Sequence, residues 1–119
     1  MTLPLHITFR GFSSSEALEA KIRSRVEKLE QMFSSITSCR VVIEAPHHHQ
    51  QKGNSFRVSI DLTIPHGELI ARSSDGPAHQ DVYIAVRDAF DALGRQLRSR
   101  VSRGRDAGKR REPARAAAD

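Results

Sequence analysis

Asp81–Arg103 reads DVYIAVRDAFDALGRQLRSRVSR, the longest periodic stretch in the chain. Val82, Tyr83, Val86, Ala89, Phe90, Leu93, Leu97 and Val101 recur at three- and four-residue steps. That spacing predicts a helix of roughly six turns with one apolar stripe. Tyr83 and Phe90 are assigned to the core on this pattern. Arg87, Arg95 and Arg98 sit around the rest of the cylinder, with Arg100 and Arg103 towards its end. The helix therefore has one face to bury and a basic surface to present. Asp81, at its start, suits the positive end of the helix dipole.

Upstream of this helix lies the cleanest alternation in the sequence. Phe56, Val58, Ile60, Leu62 and Ile64 point one way, and Arg57, Ser59, Asp61 and Thr63 the other. Pro65-His66-Gly67 reads as a tight reversal into a shorter strand, Glu68 to Ser73. Cys39, Val41, Ile43 and Ala45 alternate with Arg40, Val42 and Glu44, and Leu3, Leu5, Ile7 and Phe9 with Pro4, His6, Thr8 and Arg10. Between these two strands, Leu18, Ile22, Val26, Leu29 and Phe33 give a second helical stripe. Ser13 and Glu16 before it have the spacing of a capping box. Lys21, Arg25 and Lys28 fall on one flank of that helix, and Glu16, Glu19, Glu27 and Glu30 on the other, with Arg23 among them. Charge sorted in this way makes one flank a plausible anion-binding surface.

The order β-α-β-β-β-α predicts an α+β fold: a four-stranded, mainly antiparallel sheet with two helices packed on one face. The other face is expected to be solvated, carrying His6, Thr8, Arg40, Arg57, Asp61 and Arg72. After Arg103 the apolar period stops. GRDAGKRREPARAAAD has two glycines, one proline and five Lys or Arg. A folded domain over 1–103 with a disordered basic tail over 104–119 is the expectation.

The chain of 119 residues suits one domain, and its 19 basic and 14 acidic side chains give a net charge of +5. Residues 81–119 hold 10 Lys or Arg against 6 Asp or Glu, a surplus that points to a polyanionic partner. Cys39 is the sole cysteine, which excludes an internal disulfide and a thiolate metal cage. No signal peptide or membrane-spanning run is present, so a cytoplasmic protein is expected.

Two stretches resemble the ribosome hibernation-promoting factor and ribosome-associated inhibitor family of bacteria. One is ALEAKIRSRVEKLEQMF, Ala17–Phe33. The other is Asp81-Val82-Tyr83 followed by Ala85, Val86, Asp91, Leu93, Arg95, Gln96 and Leu97. The element order also matches, over about residues 3 to 103. The resemblance implies a short-form, non-catalytic stress or stationary-phase factor that occupies the decoding channel of the small ribosomal subunit. Its two parallel helices would carry cations onto 16S rRNA phosphates. The basic positions that match the family are Arg25, Lys28 and Arg95. Ala92 and Ser99 stand where the family has basic residues, with Arg98 and Arg100 beside the gap.

If the two helices lie side by side on one sheet face, Lys21, Arg25 and Lys28 are expected to face the same outer groove as Arg87, Arg95 and Arg98, and Arg100 joins them as an RNA-binding candidate. Six such contacts would give a slope of roughly four to five in log affinity against log salt. A general binder of structured RNA, or a protein-interaction adaptor using the open sheet face, are the competing readings. His47, His48 and His49 are adjacent in a polar loop and do not converge on one ion. No Gly-rich phosphate loop, H-E-x-x-H or nucleophile elbow occurs, and Asp61 has no acid/base partner that the sequence places. Neither an enzyme, a cofactor, a small-molecule substrate nor a membrane partner is expected, and a monomer is.

Overall fold

Six elements follow one another: β1 (Leu5–Arg10), α1 (Glu16–Met32), β2 (Ser38–Glu44), β3 (Arg57–Ile64), β4 (Gly67–Arg72) and α2 (Val82–Arg111). The computed structural model describes residues 3–45, 55–73 and 80–111, with side chains as far as Arg100. The strands form one sheet in the order β1-β2-β3-β4. β1 pairs with β2 in parallel, while β2–β3 and β3–β4 are antiparallel. The expected α+β fold and element order are therefore what the chain adopts.

Alternation along the strands puts one parity of residues on the helix side. Cys39, Val41, Ile43, Val58, Ile60 and Leu62 are all buried there, with Leu18, Ile22 and Val26 of α1 and Ala85, Val86, Ala89 and Leu93 of α2. One continuous core thus lies between the sheet and both helices. Each large aliphatic side chain buried in it contributes about 1.5–3 kcal/mol. At its margin Phe12 meets Phe9 and Phe56 edge-on, at centroid distances of 5.3 and 5.4 Å.

The two helices run in the same direction. β1 and β2 are parallel, so α1 must return from the end of one to the start of the other. Contacts along α2 descend β4: Asp88 lines a pocket with Arg72, Gln96 bonds Ile70, and Arg100 reaches Gly67. Since β4 is antiparallel to β3, and β3 to β2, β4 points the same way as β1 and β2.

Three local expectations change. Ser15, not Ser13, caps α1: it has extended backbone angles and its hydroxyl accepts from the Leu18 N–H at 3.2 Å. The helix begins at Glu16, so the side chain directly before it, which reaches the N–H of the third helical residue, wins. Tyr83 is 41% exposed and outside the core, whereas Ala85 is fully buried. The aromatic ring lies about 100° from Val82 around the helix, at the stripe's edge. Lastly, α2 continues to Arg111, past the end expected at Arg103. Ala, Arg and Lys favour helix without an apolar stripe, so the loss of periodicity marked the end of burial signals rather than of the helix. Residues 112–119 of the expected tail lie outside the described residues, as do His47–His49.

The β3–β4 turn contains Pro65 and His66, the latter at φ 69°. Proline fixes the first turn position, and the left-handed second one is carried by a histidine at some cost in strain.

Candidate nucleic-acid interface

Where α1 and α2 lie side by side they leave a groove of about 290 Å³. Arg25 and Lys28 line it from α1, and Arg95 and Arg98 from α2. Leu29, Met32 and Phe90 supply apolar surface, and among the described residues Asp91 is its one carboxylate. Helical spacing produces this arrangement. Arg25 and Lys28 sit on the α1 flank beside the buried Leu18–Leu29 stripe, and Arg98 stands one turn after Gly94 on the α2 side facing α1. Gly94 is buried, and a methyl group there would come within 3.4 Å of the Arg98 guanidinium. The absence of a side chain at this position leaves Arg98 room to lie along the groove.

Four of the seven sequence candidates thus converge. Lys21 and Arg87 sit one helical turn ahead of Arg25 and Asp91, exposed, and neither lines the groove. Arg87 bonds its neighbour Asp88 at 3.0 Å through a half-exposed ion pair, which contributes little stability and offsets part of its charge. Arg100 is elsewhere. Its guanidinium reaches over the β3–β4 turn, 3.1 Å from where a Cβ on Gly67 would stand. At 100° per residue Arg100 falls in line with Val82, on the sheet side of α2, so it extends beneath the sheet's end rather than towards α1.

The open face of the sheet carries the expected polar residues, and Asp61 Oδ1 is buried there without a hydrogen-bond partner. In register, Asp61 lies opposite Arg40, and Arg40 opposite His6. The histidine is thus two strands away, roughly 10 Å, too far for direct proton exchange. On the core side, burial, with a lesser contribution from the Asp61 carboxylate, pushes the Cys39 thiol up to about 12. It is a packed hydrophobe rather than a nucleophile. Among the described residues no group of three His, Cys, Asp or Glu side chains is placed to hold a metal ion.

Residues 5–105, nearly the whole described chain, match the Sigma 54 modulation protein / S30EA ribosomal protein family. The chain belongs to that family.

As a Sigma 54 modulation protein / S30EA ribosomal protein family member, it is 25% identical over 96 residues to a ribosome hibernation promoting factor of Pseudomonas putida, covering 81% of this chain and 84% of that protein. In fold it is similar to a ribosomal subunit interface protein from Coxiella burnetii, at a TM-score of 0.68 and 17% identity, over 84% of this chain and 99% of that one. The Thermus thermophilus Protein Y N-terminal domain is also similar, at a TM-score of 0.63 and 18% identity, over 82% and 96% of the two chains. The resemblance read from Ala17–Phe33 and Asp81–Leu97 is thereby confirmed as membership.

Ala92 and Ser99, the two positions where the resemblance led to an expectation of basic residues, have different settings. Ala92 packs against the core, and Ser99 is exposed. Of the arginines beside them, Arg98 places its charge in the groove and Arg100 does not.

One cluster escaped the sequence reading. Arg10, Arg57 and Arg72 surround a concavity on the helix-free face of the sheet. Strand parity signalled that they share a face, but only the inter-strand register brings them together.

Proposed function

We propose that this chain is a ribosome-binding translation inhibitor that occupies the decoding channel of the small subunit during stress or stationary phase. The observation that carries the reading is the meeting of Arg25, Lys28, Arg95 and Arg98, from two separate segments, on one groove. Family membership and the name of the Pseudomonas putida relative support it.

The chemistry is occupancy. Phosphate contacts supply most of the affinity for RNA and position a protein without reading sequence. Arginine's planar fork holds a phosphate through two hydrogen bonds, and a groove between packed helices presents several forks in fixed geometry. A rigid domain held in this way on 16S rRNA excludes whatever else binds there. No bond is made or broken, and the protein acts in the cytoplasm without enzymatic activity. Among the described residues no helix is long and apolar enough to cross a membrane.

Sedimentation of lysate on sucrose gradients tests this reading. Co-migration of the protein with small subunits or paired ribosomes is the expected result. Equal binding to ribosomes and arbitrary duplex RNA would instead assign it to general structured-RNA binding.

A further inference from the structure

The helix-free sheet face holds a concavity of about 550 Å³, lined in part by Arg10, Glu44, Arg57, Ser59, Arg72 and Ser73. Register builds it. Arg10 lies opposite Glu44, Glu44 opposite Arg57, and Ser59 opposite Arg72. These residues share one parity, so they stand on one face in two adjacent cross-strand rows. Ser73 is fixed at the rim: its hydroxyl accepts from the Val58 N–H at 2.9 Å, and its own N–H donates to the Val58 carbonyl at 2.9 Å. Among the described residues that line it, all three arginines are exposed, against a single glutamate.

We propose that this concavity is a second RNA-phosphate site, so that the domain holds two separate RNA segments, one on each face. The proposal rests on the reading of the inter-helix groove as an RNA site. Its first support is charge. Arginines from three strands around one hollow match phosphate oxygens, which accept paired hydrogen bonds from the guanidinium fork.

The second support is what lies between the two sites. A shallow pocket at the β4 edge shares Arg72 with the sheet concavity and Arg95 with the inter-helix groove. Asp88 and Asp91 line that pocket as well. A single phosphate backbone wrapping around the edge would pass the Asp91 carboxylate and that of Asp88, which Arg87 pairs, and like charges oppose it. Two segments that approach from opposite faces avoid Asp88, and the one in the groove meets Asp91 among four cations. A helix layer on a sheet is roughly 15 Å thick, which exceeds the Debye length of about 8 Å at physiological salt. The two bound segments would therefore repel each other only weakly.

The test is stoichiometry by sedimentation velocity, with the full chain and an excess of a short RNA hairpin. Two hairpins per wild-type molecule are expected. Arg10→Glu with Arg72→Glu, and separately Arg25→Glu with Arg95→Glu, should each bind one, and the fourfold variant none. Circular dichroism checks folding, and the corresponding alanine pairs replace any glutamate variant that does not fold. One hairpin per wild-type molecule whose binding the groove substitutions abolish and the sheet substitutions leave intact, or two hairpins after the sheet substitutions, overturns the proposal. So does a concavity that takes a poly-glutamate peptide and no RNA. If the groove substitutions leave binding untouched and the sheet substitutions abolish it, the sheet site is upheld and the groove reading fails.

Discussion

Gln96 donates from Nε2 to the Ile70 carbonyl oxygen at 3.0 Å, joining the middle of α2 to the edge strand β4. Ile70 lies on an edge, so its carbonyl has no further strand to pair with. The bond fixes how α2 is rotated on the sheet. With Gln96 turned to β4, Arg98 two residues on is turned about 200° away, towards α1.

Replacement of Gln96 by alanine should lower stability by about 1 kcal/mol, the usual net worth of such a hydrogen bond. Urea unfolding would measure it. Because the freed carbonyl can be solvated at the edge, a loss above about 2 kcal/mol would point to a role beyond this one bond.

Ser15 caps α1 through the Leu18 N–H. Ser15→Ala should cost about 1 kcal/mol, whereas Ser13→Ala should stay within about 0.5 kcal/mol of the wild type. Thermal unfolding of the two variants side by side separates them.

Most of the fold was legible because burial imposes a period on the sequence. Ile60 and Leu62 of β3, and Leu93 and Leu97 of α2, follow strand and helix spacing and are buried as that spacing requires. The misreadings fall where the period is silent. Ser13, Ser14 and Ser15 all offer hydroxyls, and only the starting residue of the helix decides which of them caps. Tyr83 stands at the rim of its stripe, where a small change in helix rotation exposes it. Arg25, Lys28, Arg95 and Arg98 could be placed on flanks from spacing, but their meeting depends on how α1 packs beside α2. Arg100, at the sheet's end, follows its angle on the helix rather than its charge.

Cys39 is buried, and its thiol is pushed up to about 12 by burial and, less strongly, by the Asp61 carboxylate. In the unfolded chain a thiol titrates near 8.5. Between these values the native state holds a proton that the unfolded state has released. The stabilisation is thus complete below about pH 8.5 and is lost as pH rises towards 12, with a slope approaching 1.4 kcal/mol per pH unit. Comparison of urea stability from pH 8 to pH 11 should show this decline in the wild type and a shallower one in Cys39→Val. Equal slopes would remove the thiol from the account.

Gly94 sits inside α2, and a methyl group there meets only the flexible end of Arg98, at 3.4 Å. Gly94→Ala should stabilise the protein by about 0.5–1 kcal/mol through helix propensity. RNA affinity should change less than threefold, since Arg98 can shift by a few tenths of an ångström. Thermal unfolding and filter binding would read the two effects.

Affinity for purified small subunits, measured against salt, tests the shared groove most directly. The four cations lining it should contribute roughly three to four to the wild type's log–log slope. Arg25→Glu with Arg95→Glu should fold normally, bind at least tenfold more weakly and lower that slope by about two. Wild-type affinity and an unchanged slope in a folded double variant would contradict the account.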